Sequence, residues 1–158
     1  MMLRMFYNAV YRCIRIDYAL VDSWFTCEAL INAVISQGVH LIGMYKIATT
    51  KFLYRVQLLT YSQINSLISK PTRCRSLKYY YKRADVMYGD TKLTLFFSRQ
   101  GTKGKCKVIL TTDTSLSFIK LLELYQIRWV IDYPSKNNIR GDLLKVHKIS
   151  HLHKILLG

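Results

Sequence analysis

Tyr18-Ala19-Leu20-Val21-Asp22 and Val39-His40-Leu41-Ile42-Gly43-Met44-Tyr45 are the two apolar runs whose reading decides the fold. Each is too short for a helix and rich in aliphatic and aromatic residues, so each reads as a short strand. Residues 25–37 between them alternate apolar and polar with the helix period and stop at Gly38, a residue suited to the left-handed position past a helix end. Strand, helix and strand in that order make a crossover of the kind that builds parallel sheets. Asp22 then stands at the carboxyl end of the first strand, the end at which such sheets gather ligands.

Working outward, Leu3, Phe6, Val10 and Ile14 recur at helical spacing and predict a helix over 2–14. Tyr61 to Ser69 reads as a short helix ended by Lys70-Pro71. From Leu77 to Tyr88 and from Leu93 to Ser98 the β-branched and aromatic content rises, with Gly89-Asp90 and Gln100-Gly101 as turn signals, so an antiparallel meander is expected. Val108 to Thr112 is a further strand. Thr114 or Ser115 would cap the helix that follows through about Ile131. Pro134 interrupts that helix, and Lys136-Asn137-Asn138 with Gly141 reads as a loop before a weakly amphipathic tail, Leu143 to Leu157.

The last helix carries Tyr125-Gln126-Ile127-Arg128-Trp129-Val130-Ile131-Asp132. Residues three or four apart share a helix face, so Tyr125, Arg128 and Asp132 would point one way while Leu121, Leu124 and Ile131 face a core. A carboxylate binds a hard cation and a guanidinium a phosphate oxygen, so this layout suits a helix that delivers an acid to a metal beside a phosphate. The alternative is a structural Arg128–Asp132 pair one turn apart.

The octet resembles the Tyr, two residues, Arg, three residues, Glu, six residues, Lys signature of DDE-type bacterial transposases, in the insertion-sequence-four-like family. Tyr18-Ala19-Leu20-Val21-Asp22-Ser23-Trp24-Phe25 is similar to the family's strand carrying its second catalytic aspartate. Gly38 to Lys46 and Cys106 to Asp113 match in character and order. The resemblance implies an α/β fold: a ribonuclease-H-like mixed sheet with flanking helices and a strand-rich antiparallel insertion, incomplete on its N-terminal side. Residues 1–132 would be a partial DDE catalytic domain, with the insertion at about 46–105, and 133–158 a divergent C-terminal tail. Asp22 and Asp132 would be catalytic and metal-binding, and Tyr125 and Arg128 would bind phosphate. The cofactor would be Mg²⁺ or Mn²⁺, held by three carboxylates in the family and not held by this chain alone. DNA at insertion-sequence ends would be the substrate, and the full-length family implies a possible dimer.

Three departures accompany the match. Of the 21 residues before Asp22 only Asp17 is acidic, and it stands too close to occupy a separate strand, so the family's first aspartate has no counterpart. The glutamate position is Asp132, one methylene shorter. The lysine position falls on Ile139. The expectation is a transposase fragment, inactive alone, with a non-catalytic nucleic-acid-binding protein as the alternative.

Composition bears on both. The 158 residues hold 24 Lys and Arg against 9 Asp and Glu, a formal net charge of +15, which favours a polyanion such as DNA through phosphate contacts and counterion release. Apolar content of 51% argues against disorder, and no uninterrupted apolar run approaches the roughly 18 residues of a membrane span. Arg4, Arg12 and Arg15 among the apolar N-terminal positions disfavour a signal peptide, so a cytoplasmic protein is expected. Arg73, Arg75, Lys78, Lys82 and Arg83 surround Tyr79-Tyr80-Tyr81 and can either bind a DNA backbone and stack a base or form a solvated face over buried tyrosines. Lys103 and Lys105 sit at an expected hairpin tip, where they can follow phosphates or simply face water. Trp24 reads as a core or rim aromatic in preference to a base-stacking wedge. Cys13, Cys27, Cys74 and Cys106 lack the spacing of a zinc knuckle or disulfide framework. His147, His151 and His153 lack a partner at ligand spacing.

Overall fold

The crossover forms as the sequence predicts. The computed structural model describes residues 2–11, 16–24, 26–132 and 156–157. Strand β1 (Tyr18–Val21) pairs in parallel with β2 (His40–Tyr45), Leu20 opposite Ile42, and helix α2 (Glu28–Ser36) connects them. Gly38 has φ of 70°, the left-handed conformation that glycine adopts without a Cβ clash. Its N–H donates to Ile35 O at 2.9 Å and that of Val39 to Val34 O at 3.2 Å, so the last carbonyls of α2 are satisfied by a glycine-terminated cap.

From β2 the sheet grows by antiparallel neighbours. Its order is β4 (Gln57–Thr60), β3 (Lys51–Tyr54), β6 (Tyr79–Tyr88), β7 (Thr91–Gln100), β8 (Lys107–Thr111), β2, β1 and β9 (Leu156–Leu157), with β5 (Thr72–Cys74) paired to β6. The protein is therefore α/β with a mostly antiparallel sheet, whose parallel part among the described residues is β2-β1-β9. Gly89-Asp90 makes the two-residue turn of the β6–β7 hairpin, Tyr88 opposite Thr91, with Gly89 at φ of 57°.

Alternating side chains divide the core between the two sheet faces. On one face Ala19, Val21, Leu41, Ala84, Val86, Leu93 and Leu95 pack with Phe6 of α1 (Met2–Tyr11), Leu30, Ile31 and Val34 of α2, and Ile64 of α3 (Tyr61–Leu67). On the other, Leu20, Ile42, Phe96 and Ile109 pack under Leu121, Leu122, Leu124 and Tyr125 of α4 (Phe118–Asp132). The result is a sheet with helices on both sides, α4 alone on its own among the described residues.

Several local expectations change. The expected helix 2–14 is described to Tyr11, and Tyr61–Ser69 shortens to α3, which Thr60 starts with a reciprocal Thr60–Gln63 capping box. α4 is capped by Ser117, whose Oγ accepts from Lys120 N at 3.3 Å, in place of Thr114 or Ser115; Ser115 is taken by Asp113 and the Thr114 carbonyl by Arg83. Residues 51–60, which carry no clear turn signal, form the β3–β4 hairpin through Arg55 and Val56, at φ of 47° and 71°. Cys74 is buried, but Cys27 and Cys106 are exposed, and all three are free thiols. Cys13, the three C-terminal histidines and nearly all of the tail lie outside the described residues; Leu156–Leu157 adds to the sheet edge beside Leu20 and Val21.

Candidate functional site

Asp22 follows the last residue of β1 and keeps the parity of Leu20, which directs it to the α4 face. Its Oδ1 accepts from Ser23 N at 2.6 Å, a local turn that fixes the carboxylate. Its Oδ2 lies 3.6 Å from Nη1 of Arg128, across 106 residues of chain. Arg128 is almost wholly enclosed, its side chain 10% exposed against 35% for Asp22, so the contact sits at the inner wall of a corner that opens at the carboxylate. Low local dielectric strengthens such a pair and makes it costly to break by removing one partner.

Tyr125, one turn before Arg128, is buried, with the guanidinium carbon 5.6 Å from its ring centre. Its hydroxyl is buried, close to the Arg128 side chain and the Met44 backbone. Burial pushes its pKa up and the Asp22 charge adds to that, while the Arg128 cation opposes them. Tyr125 and Arg128 thus share a helix face as the spacing predicts, but that face is packed on the sheet beside Leu121 and Leu124 and does not project away from the core.

The loop carrying Asp22 is held by Thr26, whose Oγ1 lies 3.0 Å from Asp22 O and 2.9 Å from Met44 O, bridging the end of β1 to β2. Gly43 makes this approach possible: a Cβ there would stand 2.5 Å from Thr26 Oγ1 and 2.6 Å from Val21 Cγ2. Trp24, two residues past Asp22, is 85% exposed, which overturns the expectation of a core or rim aromatic. The turn lifts it off the sheet.

The helix backbone carries Asp132 one turn beyond Arg128, and its side chain lies outside what the structure describes. Asp113, just past the end of β8, does not join the corner. Because β8 runs antiparallel to β2, its end meets the beginning of β1, where Tyr18 Oη donates to Asp113 Oδ2 at 2.6 Å. Burial pulls the Asp113 carboxyl up, yet hydrogen bonds from Ser115 and Tyr18 outweigh it and hold the pKa below the ordinary value. The same contact, with burial, raises that of Tyr18.

Among the described residues no three His, Cys, Asp or Glu side chains gather as a metal set. Among the described side chains Asp22 is the carboxylate of this corner, and it is engaged by Arg128 and Ser23.

The expected DNA-binding residues fall on different surfaces. Arg73, on β5, is exposed and shares a sheet face with Tyr80, its register partner. Arg75 and Lys78 stand exposed in the turn before β6, Lys78 at φ of 55°, and Lys103 and Lys105 are exposed in the β7–β8 connection. Lys82 is half-buried and donates to Asn65 O at 2.8 Å. Arg83 points to the α4 side, where it pairs with Asp85 at 3.0 Å and donates to Thr114 O at 2.7 Å. It anchors the entry to α4 instead of facing a ligand with Arg73. The three tyrosines divide between the sheet faces: Tyr81 stacks on Phe118 at 4.2 Å between ring centres, and Tyr79 packs on the same ring, while Tyr80 faces the other side.

No family model matches the chain, and no curated protein matches it. Among the described residues no helix is long and apolar enough to cross a membrane.

Proposed function

We propose that this chain is part of the catalytic domain of a DDE-type DNA transposase, with the Asp22–Arg128–Tyr125 corner as the remnant of its phosphate-handling site. The observation that carries the reading is the 3.6 Å contact between Asp22 and Arg128. One position stands at a strand end and the other on a helix more than a hundred residues later, and they converge beside a buried tyrosine hydroxyl. The order is also that of the resembled family: an aspartate-bearing strand, a crossover to a parallel strand, antiparallel strands, then the helix with Tyr and Arg. In that family the chemistry is metal-dependent cleavage and transfer of DNA strands, in which paired ions activate the attacking oxygen and stabilise the leaving one. Here the 158 residues by themselves would bind DNA without cutting it, because one described carboxylate, neutralised by an arginine, supplies too few ligands.

The test has two parts. DNA flanking the reading frame should carry a segment encoding the missing first aspartate and, in another frame, the usual glutamate helix. The purified chain, given Mg²⁺ or Mn²⁺, should neither nick nor join end-bearing DNA above background. Metal-dependent cleavage abolished by Asp22→Ala would overturn the inactive reading.

A second reading, a non-catalytic nucleic-acid-binding protein, is favoured by charge placement. Segment 46–107 holds fourteen Lys and Arg against two Asp, a surplus of twelve. Nicking separates the two readings, since both bind phosphates.

A further inference from the structure

Three of the fourteen Lys and Arg of segment 46–107 gather in one place. Arg73 is the register partner of Tyr80, and Tyr80 of Arg99, so the three side chains form a row across β5, β6 and β7 on the face opposite α4. The guanidinium carbons lie 5.9 Å and 5.6 Å from the tyrosine ring centre. Beside the row, a cavity of about 250 Å³ between α3 and the hairpin is lined by Asn65, Tyr80, Lys82, Arg99 and Cys106. The Lys82 ammonium is held at the cavity wall by its bond to Asn65 O and keeps further donors for a ligand. Burial pushes the Cys106 thiol up, and the charges of Lys82 and Arg99 work against it, which places both cations near that thiol.

Among the described residues no carboxylate forms an ion pair with this group. Asp85 is engaged with Arg83 on the other face, and Asp90 lies in the β6–β7 turn, at the far end of the hairpin from Tyr80. Three cations around one ring repel one another, and the arrangement gains most when an anion enters. The aromatic between them adds a second requirement. A stacking surface engages the face of a base, and a duplex hides base faces within its own stack, so an unpaired strand satisfies both cations and ring.

We propose that the Arg73–Tyr80–Arg99 row and the adjoining Lys82 cavity bind one unpaired DNA strand, with phosphates on the cations and a base stacked on Tyr80. This deepens the DNA-binding part of the reading above and does not depend on the Asp22 corner. The test compares a labelled oligo(dT) with a duplex of equal length by fluorescence anisotropy at fixed salt. Tyr80→Ala should weaken oligo(dT) binding about tenfold and duplex binding by less than about threefold, whereas Tyr80→Phe should keep the affinity. Arg99→Gln, at an exposed position, should weaken both through the lost phosphate contact. An independent readout uses the unaltered chain: saturating oligo(dT) should protect Cys106, and not the exposed Cys27, from N-ethylmaleimide, as read by peptide mass spectrometry. Equal losses on both DNAs for Tyr80→Ala, or unprotected Cys106, would overturn the proposal while leaving duplex binding to support the broader reading. Failure to bind either DNA would remove both.

Discussion

Residues 16–45 and 46–107 belong to one sheet and differ in almost everything else. The first segment, the crossover, carries Asp17, Asp22 and Glu28 and no Lys or Arg; the second, the antiparallel arm, carries a surplus of twelve positive charges. The crossover is enclosed on both faces, by α2 on one and α4 on the other. The outer strands of the arm expose Leu53, Leu58 and Val56, the last at 93%. Tyr88 Oη of the arm donates to Glu28 Oε2 of the crossover at 3.1 Å, and burial together with that bond pushes the tyrosine up to about 12; Arg83 of the arm also donates to Thr114 O at the entry to α4. The surplus of charge therefore lies in the arm, while the core draws on both: Phe52, Leu93 and Leu95 of the arm are as enclosed as Leu41 and Ile42 of the crossover. A change at an exposed cation of the arm should leave stability largely intact, and a change in the enclosed crossover should leave the surplus charge untouched.

That separation is open to direct attack. The largest effect should come from Ile42→Ala, which empties a fully buried position of the crossover under α4 and should cost about 2–5 kcal/mol, against about 0.5 kcal/mol or less for Leu58→Ala on the exposed outer strand. Denaturant melts of both variants measure the contrast, and similar losses would show that the arm is as strongly built as the crossover. Asp22→Asn should come next, at about 1–3 kcal/mol, because it strands the enclosed Arg128 charge; the partly exposed carboxylate keeps the figure below that of a fully buried pair. Gly43→Ala should cost a similar amount, about 1–3 kcal/mol, since its methyl enters the space of Thr26 and Val21, and Thr26→Ser should recover little because the hydroxyl itself is one of the crowding atoms.

The exposed cations of the arm that carry no ion pair should respond in binding and not in stability. Affinity for duplex DNA should fall steeply with salt, and Arg73→Ala and Arg75→Ala should each reduce the slope of log K against log salt by about 0.9. Arg83→Ala should change that slope little and lower the melting temperature instead, because its charge is spent on Asp85 and Thr114. Salt titrations of the three variants decide whether exposure or mere sequence position selects the phosphate contacts. The smallest effect concerns pH. A carboxyl held below its ordinary pKa in the fold stabilises above the unfolded pKa of about 3.9 and loses that contribution as pH falls through the folded value. Asp113→Asn should therefore be less stable than the parent near neutrality, and the gap should close below about pH 4. A gap that persists in acid would assign the loss to hydrogen-bond geometry and not to charge.

Much of the crossover was legible because its signals are local. Period, apolar runs and Gly38 each report on neighbouring residues, and β1, α2 and β2 formed within a few residues of the expected bounds. The β6–β7 hairpin was announced by Gly89 in the same way. The β3–β4 hairpin was not, because Arg55 and Val56 adopt a conformation that such residues rarely take; the pairing of the flanking strands holds them there. The capping residue of α4 was misplaced by two or three positions, since Thr114, Ser115 and Ser117 are chemically alike and only the competing claims of Asp113 and Arg83 sort them.

Within the candidate site, the helical spacing of Tyr125 and Arg128 and the strand-end position of Asp22 were properties of the chain itself, determined by periodicity and side-chain type. So was the electrostatic preference for a polyanion, which depends on composition alone. That Arg128 meets Asp22, that Asp113 ends beside the start of β1 and away from Asp22, that Arg83 is spent while Arg73 and Arg99 flank Tyr80, and that Trp24 is exposed were decided only by tertiary structure. The physical reason is common to all four. Strand direction and register are settled by the burial of whole faces against distant elements, and a polar side chain's partner is whatever that packing brings within reach.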